Sequence, residues 1–176
     1  QKLMYLIEQQ DVMEFETKEF SSRFFRDLQA DLGQLRSMQF IWSLIENDPK
    51  LDEFKSNLTT NSKMKGKKAI VFTESTETAQ YLYEKLKEIY GDRIIYFSGQ
   101  SSAALKVEIE DSFNPKFKSK NNDKYDLLIT TDVLAEGINL HRANVLVNYD
   151  LPWNPTRIMQ RVGRINRVGT EYDRIY

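Results

Sequence analysis

The residues best equipped for chemistry are the arginines of one short segment. In NPTRIMQRVGRINR, Arg157, Arg161 and Arg164 recur at spacings of four and three, and Arg167 follows three further on. On a helix that spacing lines one face with guanidinium groups, which stay charged and grip planar oxyanions with paired hydrogen bonds. Ile158, Val162 and Ile165 fall on another face, suited to packing on a sheet. No acid lies between Leu151 and Thr170, so the basic stripe costs stability unless an anion or a carboxylate from elsewhere answers it. Gly163 inside the segment adds up to about 1 kcal/mol of cost relative to alanine. Broken local rules of this kind mark a functional surface, and the competing reading is a solvated basic face.

Three further segments combine hydroxyls with glycines or helix starts: FTEST from Phe72, FSGQSS from Phe97 and TTDVLAEGINL from Thr130. Such loops offer backbone N–H groups and hydroxyls to a phosphate, although Ser and Thr there also serve simply as helix caps. No G-x-x-x-x-G-K-S/T string is present, and no strand ends in a paired acidic motif suited to Mg²⁺. Arginines without a phosphate cradle of their own suggest a role in trans, on a nucleotide held by another domain. The chain has no cysteine and one histidine, His141. Disulfides, thiolate sites and multi-histidine zinc sites are thereby excluded, no metal ligand is expected, and His141 reads as a surface or loop residue.

The elements that must position these groups alternate. KAIVFTE, RIIYF, YDLLITT and ANVLVNYD are short apolar runs, as in strands buried on both faces. Between them, STETAQYLYEKLKEIY carries Ala79, Leu82, Leu86 and Ile89 on one helical stripe behind a Ser75 or Thr76 cap. SSAALKVEIEDSF carries Leu105, Ile109 and Phe113 four apart, and the arginine segment starts with Asn154 as cap and Pro155 at the first helical position. Alternation at crossover spacing predicts a mainly parallel sheet with helices on both faces, whose ligands lie beyond the carboxyl ends of the strands. Residues 1–62 show helical patterning, with Phe24, Leu28, Leu32 and Leu35 on one stripe and NDPKLDEF as a helix start; they read as a lead-in and linker that packs on the domain from residue 63 to 176. DRIY reads as the opening of a strand, so the chain is expected to be part of something longer.

The 176 residues are 40% hydrophobic and 29% charged, with a net charge of -1. That composition fits a globular domain, and any nucleic-acid contact must come from a local patch. No apolar run approaches the ~20 residues needed to span a bilayer. No signal-peptide layout opens the sequence, so a cytoplasmic protein is expected.

ITTDVLAEGINL followed by ANVLVNYDLPWNPTRIMQRVGRINRVGT resembles motifs V and VI of superfamily 2 helicases. KAIVFTES is similar to motif IV and YFSGQSS to the loop called IVa, so the resemblance runs from about Lys63 to Tyr176. DLPWNP and GINL are more similar to the Swi/Snf-related branch, including bacterial polymerase-associated remodellers, than to DEAD-box proteins. The resemblance implies the second, C-terminal RecA-like lobe of an ATP-dependent nucleic-acid motor, an α/β three-layer sandwich preceded by a helical segment. It implies ATP with Mg²⁺ held mainly by an N-terminal lobe of the same protein, and nucleic acid, DNA rather than RNA, as partner. By position, Arg164 and Arg167 match the finger arginines. Gly137, Asn139, Gln160 and Arg161 match nucleotide-side positions, and Thr73, Ser98, Gly99 and Thr131 match positions that track a nucleic-acid backbone. Glu136 departs from the family, standing where remodellers have glycine and DEAD-box proteins arginine; with the full arginine set of QRVGRINR this places the chain in a bacterial or phage-like side branch. The alternatives are a RecA-like scaffold that has lost catalysis and a stand-alone phosphate-binding α/β protein.

Overall fold

Each of the four apolar runs forms a strand in the computed structural model, which describes residues 15–117, 123–135, 138–166 and 172–176. The strands are β1 (Ala69–Phe72), β2 (Ile94–Phe97), β3 (Leu127–Thr130) and β4 (Val145–Asn148). They pair in the order β2-β3-β1-β4, all parallel, with Ala69 opposite both Leu127 and Val145. Parallel pairing forces each return path across a face of the sheet, which is why helices separate the strands.

The chain divides into two compact units, Gln1–Asp48 and Pro49–Tyr176. In the first, α1 (Ser22–Ser43) starts where the Ser21 hydroxyl accepts a hydrogen bond from the Phe24 N–H. The second unit holds the sheet and α2 (Pro49–Thr60), α3 (Thr76–Tyr90), α4 (Ala103–Phe113) and α5 (Pro155–Ile165). The helix over 49–60, which its pattern alone groups with the lead-in, thus belongs with the sheet: Leu51, Phe54 and Leu58 are buried in the core.

Alternation along the strands builds two cores. Ala69 and Val71 of β1 face a cluster containing Leu51 of α2 and Ala79, Leu82 and Leu86 of α3. Ile70 and Phe72 face Ile109 and Phe113 of α4 and Ile165 of α5. The result is helices, sheet, helices. Caps fall where the sequence puts them, with Ser75 accepting from the Thr78 N–H and Ser102 from the Leu105 N–H. Beside β4, the Tyr176 N–H donates to the Asn144 carbonyl at 2.9 Å and the Leu146 N–H to the Tyr176 carbonyl at 2.8 Å, although DRIY forms no strand.

The two ends of the sheet differ. At the amino end, Lys68 is buried and its ammonium lies 2.7 Å from Asp123, which also meets Arg142 at 3.2 Å. Burial pulls the Lys68 pKa down, against the opposing pull of Asp123. At the carboxyl end the four strands run into Thr73, Ser98, Thr131 and Tyr149 along one edge.

Leu82 is fully buried under the sheet. Leu82→Ala should therefore destabilise the chain by about 2–5 kcal/mol in denaturant titration, and a loss below about 1 kcal/mol would contradict the packing of α3.

Candidate functional site

The carboxyl edge is organised around α5. Asn154 caps the helix through its side-chain oxygen, 2.9 Å from the Thr156 N–H, and Pro155 occupies the first turn. This turns the chain back over the strand ends. Arg161 then points inward and is 0% exposed. Its Nε donates to Asp132 Oδ1 at 2.6 Å and its Nη1 to Asn148 Oδ1 at 2.7 Å, with the Asp150 carbonyl at 3.5 Å. The guanidinium carbon lies 5.1 Å from the centre of the Phe72 ring. One side chain thus touches the ends of β1, β3 and β4.

The basic stripe is answered from other loops. Asp132, which opens the 3-10 turn Asp132–Ala135, also meets Arg157 Nη1 at 3.3 Å, and Glu74 lies 3.8 Å from the same nitrogen. Of the three arginines whose spacing lines one face, Arg157 is exposed and Arg161 lies inside with Ile165, while Ile158 and Val162, expected to pack on the sheet, are half-buried. A purely apolar inner face is not needed when Asp132 and Asn148 wait beneath the helix. Gly163 meets no heavy atom within 4 Å of the position a Cβ would take, so packing does not require glycine there.

A second network adjoins the first. The Thr73 hydroxyl donates to Asp150 Oδ2, and Lys50 at the start of α2 lies 2.8 Å from Asp150 Oδ1 and 3.9 Å from the Tyr149 ring centre. Burial pushes the Asp150 pKa up, but the hydrogen bonds from Lys50 and Thr73 outweigh it and leave it below the ordinary 3.8.

The remaining candidate residues separate. Thr131 is buried, and its Oγ1 has no hydrogen-bond partner among the described residues. Ser98 is buried with its hydroxyl accepting from the Gln100 N–H, and Gly99 is exposed. Both follow β2, so β3 separates them from Thr73 at the end of β1. Arg164 is half-buried; its carbonyl accepts from the Leu140 N–H, and its side chain makes no ion pair with another described residue. Asn139 is half-buried and Gln160 exposed. Gly137 and Arg167 lie outside the described residues, as does Glu136. His141 sits in a turn before β4, as a loop residue, but is buried and not on the surface. Sequence reasoning passed over Asp132, Asn148, Asp150 and Lys50 as partners. The signal available was an acid directly after Thr131 and a basic helix with no acid of its own.

Among the described residues, no group of three or more His, Cys, Asp or Glu side chains could hold a metal ion, and no helix is long and apolar enough to cross a membrane. What the edge offers a ligand is cationic and hydroxylic.

Residues 49–169 match the helicase conserved C-terminal domain, and the chain belongs to that family. It is 41% identical over 106 residues to the uncharacterized ATP-dependent helicase YqhH of Bacillus subtilis, covering 60% of this chain and 17% of that protein. It is 31% identical over 126 residues to the RNA polymerase-associated protein RapA of Erwinia tasmaniensis, covering 72% of this chain and 12% of that protein. The chain therefore spans less than a fifth of the length of either relative. Among solved structures, S. cerevisiae Dbp5 L327V bound to RNA and ADP BeF3 superposes with a TM-score of 0.54 at 29% identity, over 68% of this chain and 29% of that one. The C-terminal part of the Fun30 ATPase domain superposes with a TM-score of 0.60 at 21% identity, over 85% of this chain and 47% of that one. The fold is the RecA-like α/β lobe of superfamily 2 helicases, and a Swi/Snf-related branch is compatible with these relatives.

Because Asp150 titrates below its ordinary value, its contribution to stability is complete above about pH 5 and is lost as the pH falls below 3.8. Asp150→Asn should be less stable than the parent chain at pH 7, with the gap closing on acidification. Parallel stability curves for the two proteins across that range would sink the assignment.

Proposed function

We propose that this chain is the C-terminal motor lobe of an ATP-dependent nucleic-acid translocase or helicase, working with an N-terminal lobe that carries the phosphate cradle and the Mg²⁺ ligands. The observation that carries the reading is the guanidinium of Arg164, which makes no ion pair among the described residues, beside Arg161, whose Nε and Nη1 are held by Asp132 and Asn148. A cation held at the carboxyl edge without a carboxylate of its own suits the equatorial oxygens of a transferring phosphoryl group. Arg164 would hold that charge, with Arg167 as its partner. Gly137, Asn139 and Gln160 would line the nucleotide side.

Thr131 would meet a nucleic-acid phosphate. Its buried hydroxyl, lacking a described partner, is the kind of group that an incoming acceptor or donor completes. Ser98 and Gly99 would follow the same strand further along the edge. The Thr73 hydroxyl, which donates to Asp150, would exchange that acceptor for a phosphate oxygen. Contacts of this type read phosphates and not bases, so binding should weaken steeply with salt and depend little on sequence. The polymer we assign is DNA, on the DLPWNP and GINL resemblance to Swi/Snf-related proteins; the solved relative that holds RNA makes RNA the competitor. The setting assigned is the cytoplasm of a bacterium.

The test is steady-state ATP hydrolysis by the full-length parent with no polymer, single-stranded DNA, duplex DNA or RNA. Stimulation by one polymer is expected, and duplex stimulation would favour translocation over unwinding. No hydrolysis by the folded parent under any condition would leave the scaffold reading in its place. In the same assay Arg164→Ala should lower turnover on the order of 10³-fold with nucleotide binding retained, and parental turnover in that variant would remove Arg164 from the site. Thr131→Ala should weaken polymer binding by about 1 kcal/mol in a fluorescence titration, whereas an unchanged affinity would free Thr131 of that role.

A further inference from the structure

We infer that Arg161 is a positioning residue that couples the nucleic-acid side of the carboxyl edge to its nucleotide side, and is not itself a ligand of the nucleotide. The inference rests on the motor-lobe reading for what is coupled, and on geometry alone for the positioning.

Burial comes first. Arg161 is 0% exposed, its Nε and Nη1 are committed to Asp132, Asn148 and the Asp150 carbonyl, and its Nη2 is buried with no hydrogen-bond partner among the described residues. With no part of the guanidinium exposed, a phosphate outside the lobe does not reach it. Its partners come second. Asp132 directly follows Thr131, the Asp150 carboxylate holds the Thr73 hydroxyl, and Arg164 lies one turn further along α5. The fork therefore fixes the proposed nucleic-acid hydroxyls relative to the proposed finger. The choice of residue comes third. A buried ion pair is weak evidence for stability, because desolvation offsets most of its attraction, and an apolar side chain on Phe72 would stabilise comparably. A rigid planar fork is instead suited to holding several loops at fixed angles, which a lysine cannot do with one compact ammonium. Asp132 carries a second load through Arg157 and Glu74, so displacement of any one loop changes the geometry at the others.

The experiment uses the full-length parent and its Arg161→Lys, Asp132→Asn and doubly substituted forms. The kcat and KM for ATP are measured with saturating single-stranded DNA, duplex DNA or RNA, and amide hydrogen exchange is followed across residues 131–134 and 149–151. Positioning predicts that each single variant loses kcat by about tenfold or more while KM for ATP moves less than about threefold, and that the double variant is no worse than the singles. Exchange in both segments should accelerate in all three. A KM increase of about tenfold in Arg161→Lys, with Asp132→Asn unaffected, would make Arg161 a direct nucleotide ligand and overturn the inference. Losses that multiply in the double variant, or exchange identical to the parent, would overturn it too. Should Arg161→Lys fail to fold, Asp132→Asn alone decides by the same readouts. Should the parent hydrolyse no ATP with any polymer, the motor reading falls, and the exchange rates still decide whether Arg161 holds the loops.

Discussion

A guanidinium taken wholly out of water must find acceptors, and the carboxyl edge of this lobe is arranged around that requirement. Arg161 sets the rotation of α5 about its axis, because only one orientation brings Nε to Asp132 and Nη1 to Asn148. Once that phase is fixed, the other side chains follow at about 100° per residue. Gln160 is turned to solvent, Ile165 is driven into the core beside Phe113, and Arg164 is left at the margin, half-buried. The helix cannot roll without breaking bonds to the ends of two strands at once.

The parallel sheet makes this arrangement possible. With β2, β3, β1 and β4 all running the same way, four loops leave from one edge and the return helices are confined to the faces. The two cores hold the layers at fixed spacing, so the loops inherit the rigidity of the strands they continue. The Thr73 N–H still donates to the Thr130 carbonyl beyond the last paired strand residues, and the Tyr149 N–H to the Phe72 carbonyl. The ladder thus reaches into the site itself, and Thr73 stands there as a continuation of β1 and not as a free loop residue.

Most of the architecture was legible in the residues. Apolar runs at buried-strand length, serine caps and the Asn154–Pro155 helix start each rest on short-range chemistry that neighbouring residues decide, and each element falls where that chemistry puts it. What the sequence withheld depends on pairs distant along the chain. Nothing local distinguishes Arg161 from Arg157 or Arg164; its burial follows from Asp132 and Asn148, 29 and 13 residues away. The same holds for Lys50 and Asp150, 100 residues apart. The helix Pro49–Thr60 is a related case: Leu51, Phe54 and Leu58 declare an amphipathic helix but not which surface it covers. The burial of Arg161 was not legible because spacing reports which residues share a face and is silent on whether that face meets water or an acid.

The direction in which α2 crosses the sheet has an architectural consequence. Its first turn, with Lys50 on Asp150, lies at the carboxyl edge, and its last turn leads through residues 61–68 to the foot of β1 at the opposite pole. The polypeptide enters this lobe beside the loops that leave the carboxyl ends of the strands. The first turn of α2 is thereby tethered twice, by the charge of Lys50 on Asp150 and by Leu51 and Phe54 in the core, so the entry of the lobe and its carboxyl edge are held as one piece.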